Sequence, residues 1–334
     1  MISFYKRKGL RRVLPAGVCA AVLALAGGSA AAASYPDAPI RLVVPFSAGG
    51  GVDIVGRIFA KKLNEALKQP VIVENKPGAS AMIGAGYVAH SKPDGLTILL
   101  ASSGETAINP HLYKHMAYDP AKDLAPISLI ARIPNLLVVN MGIPVKNAAE
   151  LVKYAKAHPR AMTYSSSGVG NIQNLSGELF NKMAGTHIRH IPYKGAAQQI
   201  ADVAAQHVSM TFASGAALQP YIQSGKVRPI AVTSTQPMSA FPKVPPLAGT
   251  AQFAGYDLVN WFGLFAPGGT PKAIIDTLNA ATVKILRDPE FVKTLELQGA
   301  IPAPMSAQEF AAFRSSESAK FAQIIHDTGI AVNE

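Results

Sequence analysis

Strand-like and helix-like segments alternate along most of this chain, and that alternation limits the fold more than any other feature. Ile40–Val44 reads as a buried strand. After a glycine-rich turn, Ile54, Val55, Ile58, Phe59, Leu63 and Leu67 keep the spacing of one helical face. Residues 71–74 predict a second strand, 81–90 a helix and 97–101 a third strand. Strands in this order pair in parallel, because the intervening helices supply the crossovers that parallel neighbours need.

The long apolar segment 127–140 is interrupted by Pro134, so it reads as one strand leaving a first sheet and another entering a second. The alternation then restarts. Helices over Ala148–Ala157, 172–183 and 196–205 lead to strands over 162–165, 188–192 and 208–213. A short helix near 217–223 leads to a strand over 227–233, and the proline-rich stretch 237–246 reads as a connector. The tail is helical. Thr270 as cap with Pro271 in the first turn opens one helix, and Ser306-Ala307-Gln308-Glu309 is a capping-box pattern opening another. A helical tail with little sheet of its own must pack on a sheet already formed. The expected fold is therefore α/β with two lobes: lobe 1 from residues 34–134 plus 259–334, and lobe 2, residues 135–258, inserted into it. Two such lobes leave a cleft between them, and clefts at domain interfaces favour ligands.

The start of the chain reads as a secretory signal. Lys6, Arg7, Lys8, Arg11 and Arg12 precede an apolar run over 14–26, and Ala31-Ala32-Ala33 offers a cleavage site before Ser34. The run is short of the ~20 apolar residues a membrane span needs. Cleavage after Ala33 and a soluble periplasmic product are expected. Cys19, the single cysteine, lies inside the signal, so no disulfide or thiol chemistry is expected. Of 31 Lys and Arg, five lie before Ser34, leaving a net charge of +6 against 20 Asp and Glu. That modest excess suits an anionic solute. No dense basic run with interleaved aromatics points to nucleic acid.

The strongest local feature is Phe46-Ser47-Ala48-Gly49-Gly50-Gly51-Val52-Asp53, between a strand and a helix. Glycines there let a ligand approach the backbone, and the helix adds the positive end of its dipole, which together make an anion site. The alternative is a plain turn with Asp53 capping the helix. A second turn, Ser166-Ser167-Gly168-Val169-Gly170, repeats the design, the alternative again being an ordinary capping turn. Gly78-Ala79-Ser80 and Ser102-Ser103 also lie at strand ends, where open α/β sheets bind their ligands. Tyr193 and Phe212 read either as cleft wall or as core.

Catalytic and metal readings fare poorly. Gly51-x-x-x-x-Gly56 is followed by Arg57-Ile58, not the Lys-Ser/Thr of a phosphate-binding loop. Gly78-x-Ser80-x ends on Met82 in place of the glycine of a nucleophile elbow. His111 and His115, like His187 and His190, offer only pairs, whereas a metal needs a third ligand. No enzyme activity, metal or cofactor is expected.

The segments YPDAPIRLVVPFSAGGGVD, VIVENKPGASAMIGA, YSSSGVG, HIPYKGAA, SGKVRPIAVTS and WFGLFAPGGTPKAIIDTLN together resemble the solute-binding proteins of tripartite tricarboxylate transporters, the Bug family. The resemblance implies a periplasmic binding protein of the Venus-flytrap kind, type II-like, with a parallel-dominated mixed sheet in each lobe. It implies a small carboxylate, a di- or tricarboxylate or an aromatic acid, held by hinge closure without metal or cofactor. The partner is a membrane transporter or, alternatively, a sensor domain, and the protein is expected to be a monomer. Phe46 to Gly51 with Asp53, and Ser166 to Gly170, are the positions the resemblance assigns to the ligand carboxylate. Three residues depart from the family pattern. Asn174 stands where a His is usual, and Ser209 and Ala213 stand where Asp is usual. Ser209 reads as a matter of strand packing. Asn174 and Ala213 point to a different recognition of the ligand's far end. Valine at Gly50 is expected both to block the grip and to meet a strained φ.

Overall fold

The structure, a computed structural model, describes residues 1–4, 35–193 and 195–331. The expected signal and its cleavage after Ala33 lie outside the described residues. From Ala38 onward the chain packs as one unit.

The strands are β1 (Ile40–Val44), β2 (Val71–Asn75), β3 (Thr97–Ser102), β4 (Leu124–Asn140), β5 (Thr163–Ser166), β6 (Arg189–Pro192), β7 (Met210–Ser214), β8 (Val227–Val232), β9 (Val259–Pro267) and β10 (Ile301–Pro302). They join in one sheet ordered β2-β1-β3-β9-β4-β7-β5-β6, with β8 and β10 also paired to β4. In the first half β1 runs parallel to β2 and β3. In the second half β5 runs parallel to β6 and β7. The long β4 and β9 run antiparallel to each other and join the halves, β9 against β3 and β4 against β7 and β8.

Pro134 does not break the long apolar segment. β4 pairs with β9 as far as Pro134 opposite Val259, and with β7 from Asn135 opposite Ser214. The proline sits where β4 changes partners, a station at which its missing N–H breaks no ladder. The second crossing is tied to the first. Asn135 donates its N–H to the Thr233 hydroxyl at 2.9 Å, Thr233 returns its own N–H to the Asn135 carbonyl at 2.9 Å, and Leu258 donates to the Thr233 carbonyl at 3.1 Å.

The helices are α1 (Gly51–Leu67), α2 (Met82–Ala89), α3 (Pro120–Asp123), α4 (Ala148–Ala157), α5 (Ile172–Ala184), α6 (Ala196–Ala204), α7 (Gly215–Gln223), α8 (Lys272–Leu286), α9 (Pro289–Leu297) and α10 (Ala307–Thr328). Val55, Phe59 and Leu63 keep one face of α1 buried, as their spacing requires. The helical tail returns to the first half: α8 packs on α1 and β4, and α10 on β4 and also on α5. The capping box at Ser306 and Glu309 forms with both reciprocal bonds. Thr270 does not cap. Its hydroxyl donates to the Pro267 carbonyl at 2.7 Å, and α8 starts two residues later, after Pro271. Ser209 is a matter of strand packing: it exchanges side chain-to-backbone bonds with Thr163 at 3.1 and 3.3 Å. Among the described residues no helix is long and apolar enough to cross a membrane.

Candidate functional site

The topology brings two sets of strand ends together. Ser102 ends β3 opposite Phe262, and its neighbour Ser103 bonds Asn260 at 2.8 Å, just inside the start of β9. Ser214 ends β7 opposite Asn135, the first residue of β4 beyond the partner change. The carboxyl ends of the parallel strands of both halves therefore meet at the crossing of β4 and β9. Ligands of open α/β sheets gather at such ends.

The first loop, 46–50, leads from β1 into α1 and lies exposed from Ser47 to Gly50. It is fastened from behind by Asp53, which is 2% exposed. One carboxylate oxygen accepts the Gly49 N–H at 2.8 Å and Arg57 Nε at 3.0 Å, and the other accepts Asn75 Nδ2 at 2.8 Å. The same Asn75 nitrogen donates to the Phe46 carbonyl at 3.0 Å, and Arg57 reaches Asn75 Oδ1 at 2.9 Å. Burial pushes the Asp53 carboxyl up, but the bonds from Arg57, Gly49 and Asn75 outweigh it and hold the group below the ordinary Asp range. Asp53 thus builds the loop from behind, with three of its roughly four acceptor positions taken within the protein. Gly50 caps α1 with no side-chain bond, and the N–H groups of Ala48 and Gly51 have no acceptor among the described residues. They are among the open donors of this loop, at a helix end that favours an anion.

Gly50 has an ordinary backbone, φ −78°. The strain expected there belongs to Gly49, whose φ is +82°.

The second loop copies the fastening. Gly170 donates its N–H to Asn174 Oδ1 at 3.0 Å, and Asn174 Nδ2 donates to the Tyr164 hydroxyl at 2.7 Å, which donates to Glu178 at 2.5 Å. Asn174 is 3% exposed and lies behind the loop. Asn171 caps α5, accepting the N–H groups of Gln173 and Asn174. The loop uses up more of its own donors than the first. Ser167 gives its N–H to Gln173 Oε1 at 2.7 Å, and Gly168 gives its N–H to Ser166 Oγ at 3.2 Å. The Ser167 hydroxyl, accepting from Asn171 at 3.0 Å, keeps its own proton free to donate.

His190 closes this network. Ser166 Oγ lies 2.7 Å from His190 Nε2 and 2.6 Å from the Gly168 carbonyl. The serine proton goes to the carbonyl, so His190 donates from Nε2, and its bare Nδ1 faces Asn174 Nδ2 at 3.4 Å. The ring stacks on Tyr164 at 4.8 Å. Burial lowers its pKa to about 4, so the imidazole is neutral at pH 7.

The remaining candidates divide. Gly78, Ala79 and Ser80 are exposed, and all three have positive φ (127°, 46° and 51°), with Ala81 following at 71°. The Ser80 hydroxyl meets Tyr113 at 2.7 Å. Ser102 is buried and gives both its N–H and its hydroxyl to Glu105, at 2.7 and 2.6 Å. Tyr193 is half-buried and donates to Asp202 at 2.6 Å. Phe212 and Ala213 are fully buried: Phe212 packs edge-on to Phe180, and Ala213 packs among Leu136, Val138 and Ile200. These two are core side chains here, so the reading of Ala213 as a cleft residue gives way to packing.

Tyr164 and Glu178 carry no signal in the sequence, and Arg57, Asn75 and His190, though noticed there, are not among the binding residues it offers. One signal was available: Gly49-x-x-x-Asp53 and Gly170-x-x-x-Asn174 share a spacing. A surface hollow of about 660 Å³ lies at the opposite edge of the sheet, among Pro39, Arg41, His90, Lys92 and Leu96. Its Arg41 is already engaged by Tyr87 and Thr97. It faces the amino ends of β1 and β3, the edge that α/β sheets leave without a site.

The chain is similar to known proteins over most of its length. The model of the tripartite tricarboxylate transporter family receptor matches residues 55–330. The R. palustris protein Rpa4515 with adipate is 36% identical, with a TM-score of 0.82, covering 89% of this chain and 99% of that one. The periplasmic binding protein BugD is 31% identical, TM-score 0.78, covering 89% and 99%. MatC of Rhodopseudomonas palustris with bound malate is 27% identical, TM-score 0.77, covering 87% and 100%. The fold is that of the two-lobed periplasmic binding proteins, and the chain belongs to the tripartite tricarboxylate transporter receptor family.

Proposed function

We propose that this protein captures a small di- or tricarboxylate, or an aromatic acid, in the periplasm, and hands it unchanged to a tripartite tricarboxylate membrane transporter. The observation that carries the reading is the pair of glycine turns, each fastened from behind and opening at the carboxyl edge of its own set of parallel strands. One carboxylate of the solute meets the Ala48 and Gly51 amides at the start of α1, and the Ser167 hydroxyl closes on it from the other half. The donors are neutral, so selectivity rests on geometry and desolvation more than on ion pairing. Residues 38–134 with 259–331 form one lobe and residues 135–258 the other, hinged where β4 and β9 cross. Adipate in one relative and malate in another support a dicarboxylate.

A melting-temperature screen of carboxylic acids on the exported form tests this, since a solute that binds only the native state stabilises it. A shift by at least one di- or tricarboxylate or aromatic acid is expected. A panel in which sugars or amines shift the protein and acids do not overturns the reading.

A further inference from the structure

Asn135 is 4% exposed, and its Nδ2 has no hydrogen-bond partner among the described residues. A buried amide left unpaired is costly, and native proteins pair nearly all of them. The same strand holds a control. Asn140, at the other end of β4's second-half ladder, is also 4% exposed, but its Nδ2 donates to the Val208 carbonyl at 2.8 Å and its Oδ1 accepts from Gly142 at 2.9 Å. Burial at β4 is thus compatible with a satisfied asparagine. The Asn135 backbone is also satisfied, by Thr233 on both its N–H and its carbonyl. The side-chain amide alone is left over.

Its place in the fold gives the orphan a direction. Asn135 stands opposite Ser214, the last residue of β7, and follows Pro134, which stands opposite Val259. It therefore lies where the carboxyl edges of both strand sets meet. Alternation along β4 puts its side chain on the face of Leu137 and Val139, which pack in the cluster containing Tyr164, Leu175 and Phe212. That is the face covered by α5, whose leading loop carries Ser166 to Gly170.

We infer that Asn135 is a specificity-determining residue on the floor of the cleft, donating its amide N–H to a second oxygen acceptor at the far end of the bound acid. This rests on the carboxylate-capture reading above: the first carboxylate takes the loop amides, and Asn135 takes the other end. An acid with a second carboxylate, hydroxyl or keto oxygen satisfies the orphan, whereas an alkyl chain leaves it unpaired, and a site built to bond an oxygen rejects the analogue that lacks it.

The test compares adipate with hexanoate, and malate with butanoate, by calorimetry on the full exported protein and on Asn135→Leu and Asn135→Asp. The wild type is expected to prefer each oxygen-bearing acid over its alkyl partner by at least about tenfold, the worth of one charge-assisted bond. In Asn135→Leu that preference collapses while the melting temperature without acid holds or rises, because an isosteric apolar side chain leaves no orphan. Asn135→Asp keeps the shape if the leucine variant does not fold. Its affinity for adipate or malate is expected to fall at pH 8 and recover, relative to wild type, as acid turns its carboxylate back into a donor. If both variants that fold keep the wild-type preference, the inference fails while carboxylate capture stands. If no acid binds the wild type, capture fails and the inference with it.

Discussion

Asp53 and Asn174 hold the same station in the two halves of the chain. Each is the third residue of its helix, α1 or α5, and each accepts the N–H of the glycine four residues before it, Gly49 at 2.8 Å and Gly170 at 3.0 Å. The loop between glycine and acceptor is thereby held open at a helix start. Asp53→Ala releases Gly49, Asn75 and Arg57 together. Arg57 is half-exposed and can be rehydrated, so the expected loss is about 2–4 kcal/mol, below the sum of the broken bonds. Urea unfolding measures it. Because the folded pKa of Asp53 is depressed, its stabilisation is present above the ordinary Asp range and lost as pH falls through the folded value. Asp53→Asn is expected to lose less stability than wild type between pH 5 and pH 2, read from the same curves.

Gly49 and Gly50 separate building the loop from using it. Gly49→Val places a branched residue at φ +82°, which is expected to cost about 1–2 kcal/mol of stability. Gly50→Val adopts its φ of −78° freely, and a Cβ there lies 3.4 Å from the Ser47 carbonyl oxygen, an ordinary contact. Its stability is expected within ~0.5 kcal/mol of wild type, while the added side chain is expected to crowd a carboxylate seated on the Ala48 and Gly51 amides. Loss of two bonds to a carboxylate weakens binding about a hundredfold or more. Melting curves and calorimetry on both variants check the pair.

Lys76 is the nearest basic side chain after the second strand, and it is already engaged, 3.7 Å from Glu74 and 4.1 Å over the Tyr87 ring. Lys76→Ala is expected to change acid affinity by less than ~tenfold, as for a solvated surface charge. Calorimetry at one salt concentration suffices.

Much of the fold was legible because strand and helix periods differ. Ile40–Val44 and Ala148–Ala157 match their sequence spans, and the Ser306 capping box formed as its spacing requires. Pro134 misled because a strand that changes partners in mid-course leaves no local trace. Thr270 misled because its hydroxyl has a nearer acceptor in Pro267. At the site, glycine placement located both loops, but it could not tell donors facing outward from donors spent inside. Asp53, Ser102 and Asn174 turn inward, each bonded to a group three or four residues away, and Asp53 and Asn174 also to the more distant Asn75 and Tyr164. His190 and Asn135 matter through partners distant in sequence, which no spacing rule reports.

Glu105 lies fully buried in the turn Gly104–Ile108, and burial raises its pKa to about 7 despite the bonds from Ser102. A raised carboxyl stabilises the fold below its unfolded pKa of 4.5, and that contribution is lost as pH rises from there to about 7. The gap corresponds to roughly 3 kcal/mol at most. His190 works the other way: held neutral, it costs stability as pH falls from 6.5 to about 4. The difference between wild type and Glu105→Gln cancels the histidine. The variant is expected to gain on wild type steadily from pH 4.5 to 7, by urea unfolding at each pH. A constant difference across that window contradicts a buried, titrating Glu105.

The most direct measurement is a crystal structure of the exported protein with the acid that raises its melting temperature most. One carboxylate is expected within hydrogen-bond distance, about 2.7–3.2 Å, of the Ala48 and Gly51 N–H groups, with the Ser167 hydroxyl on its other side. A carboxylate seated instead among Arg41, His90 and Lys92 at the opposite edge of the sheet, or paired to a lysine or arginine away from both glycine turns, contradicts the account.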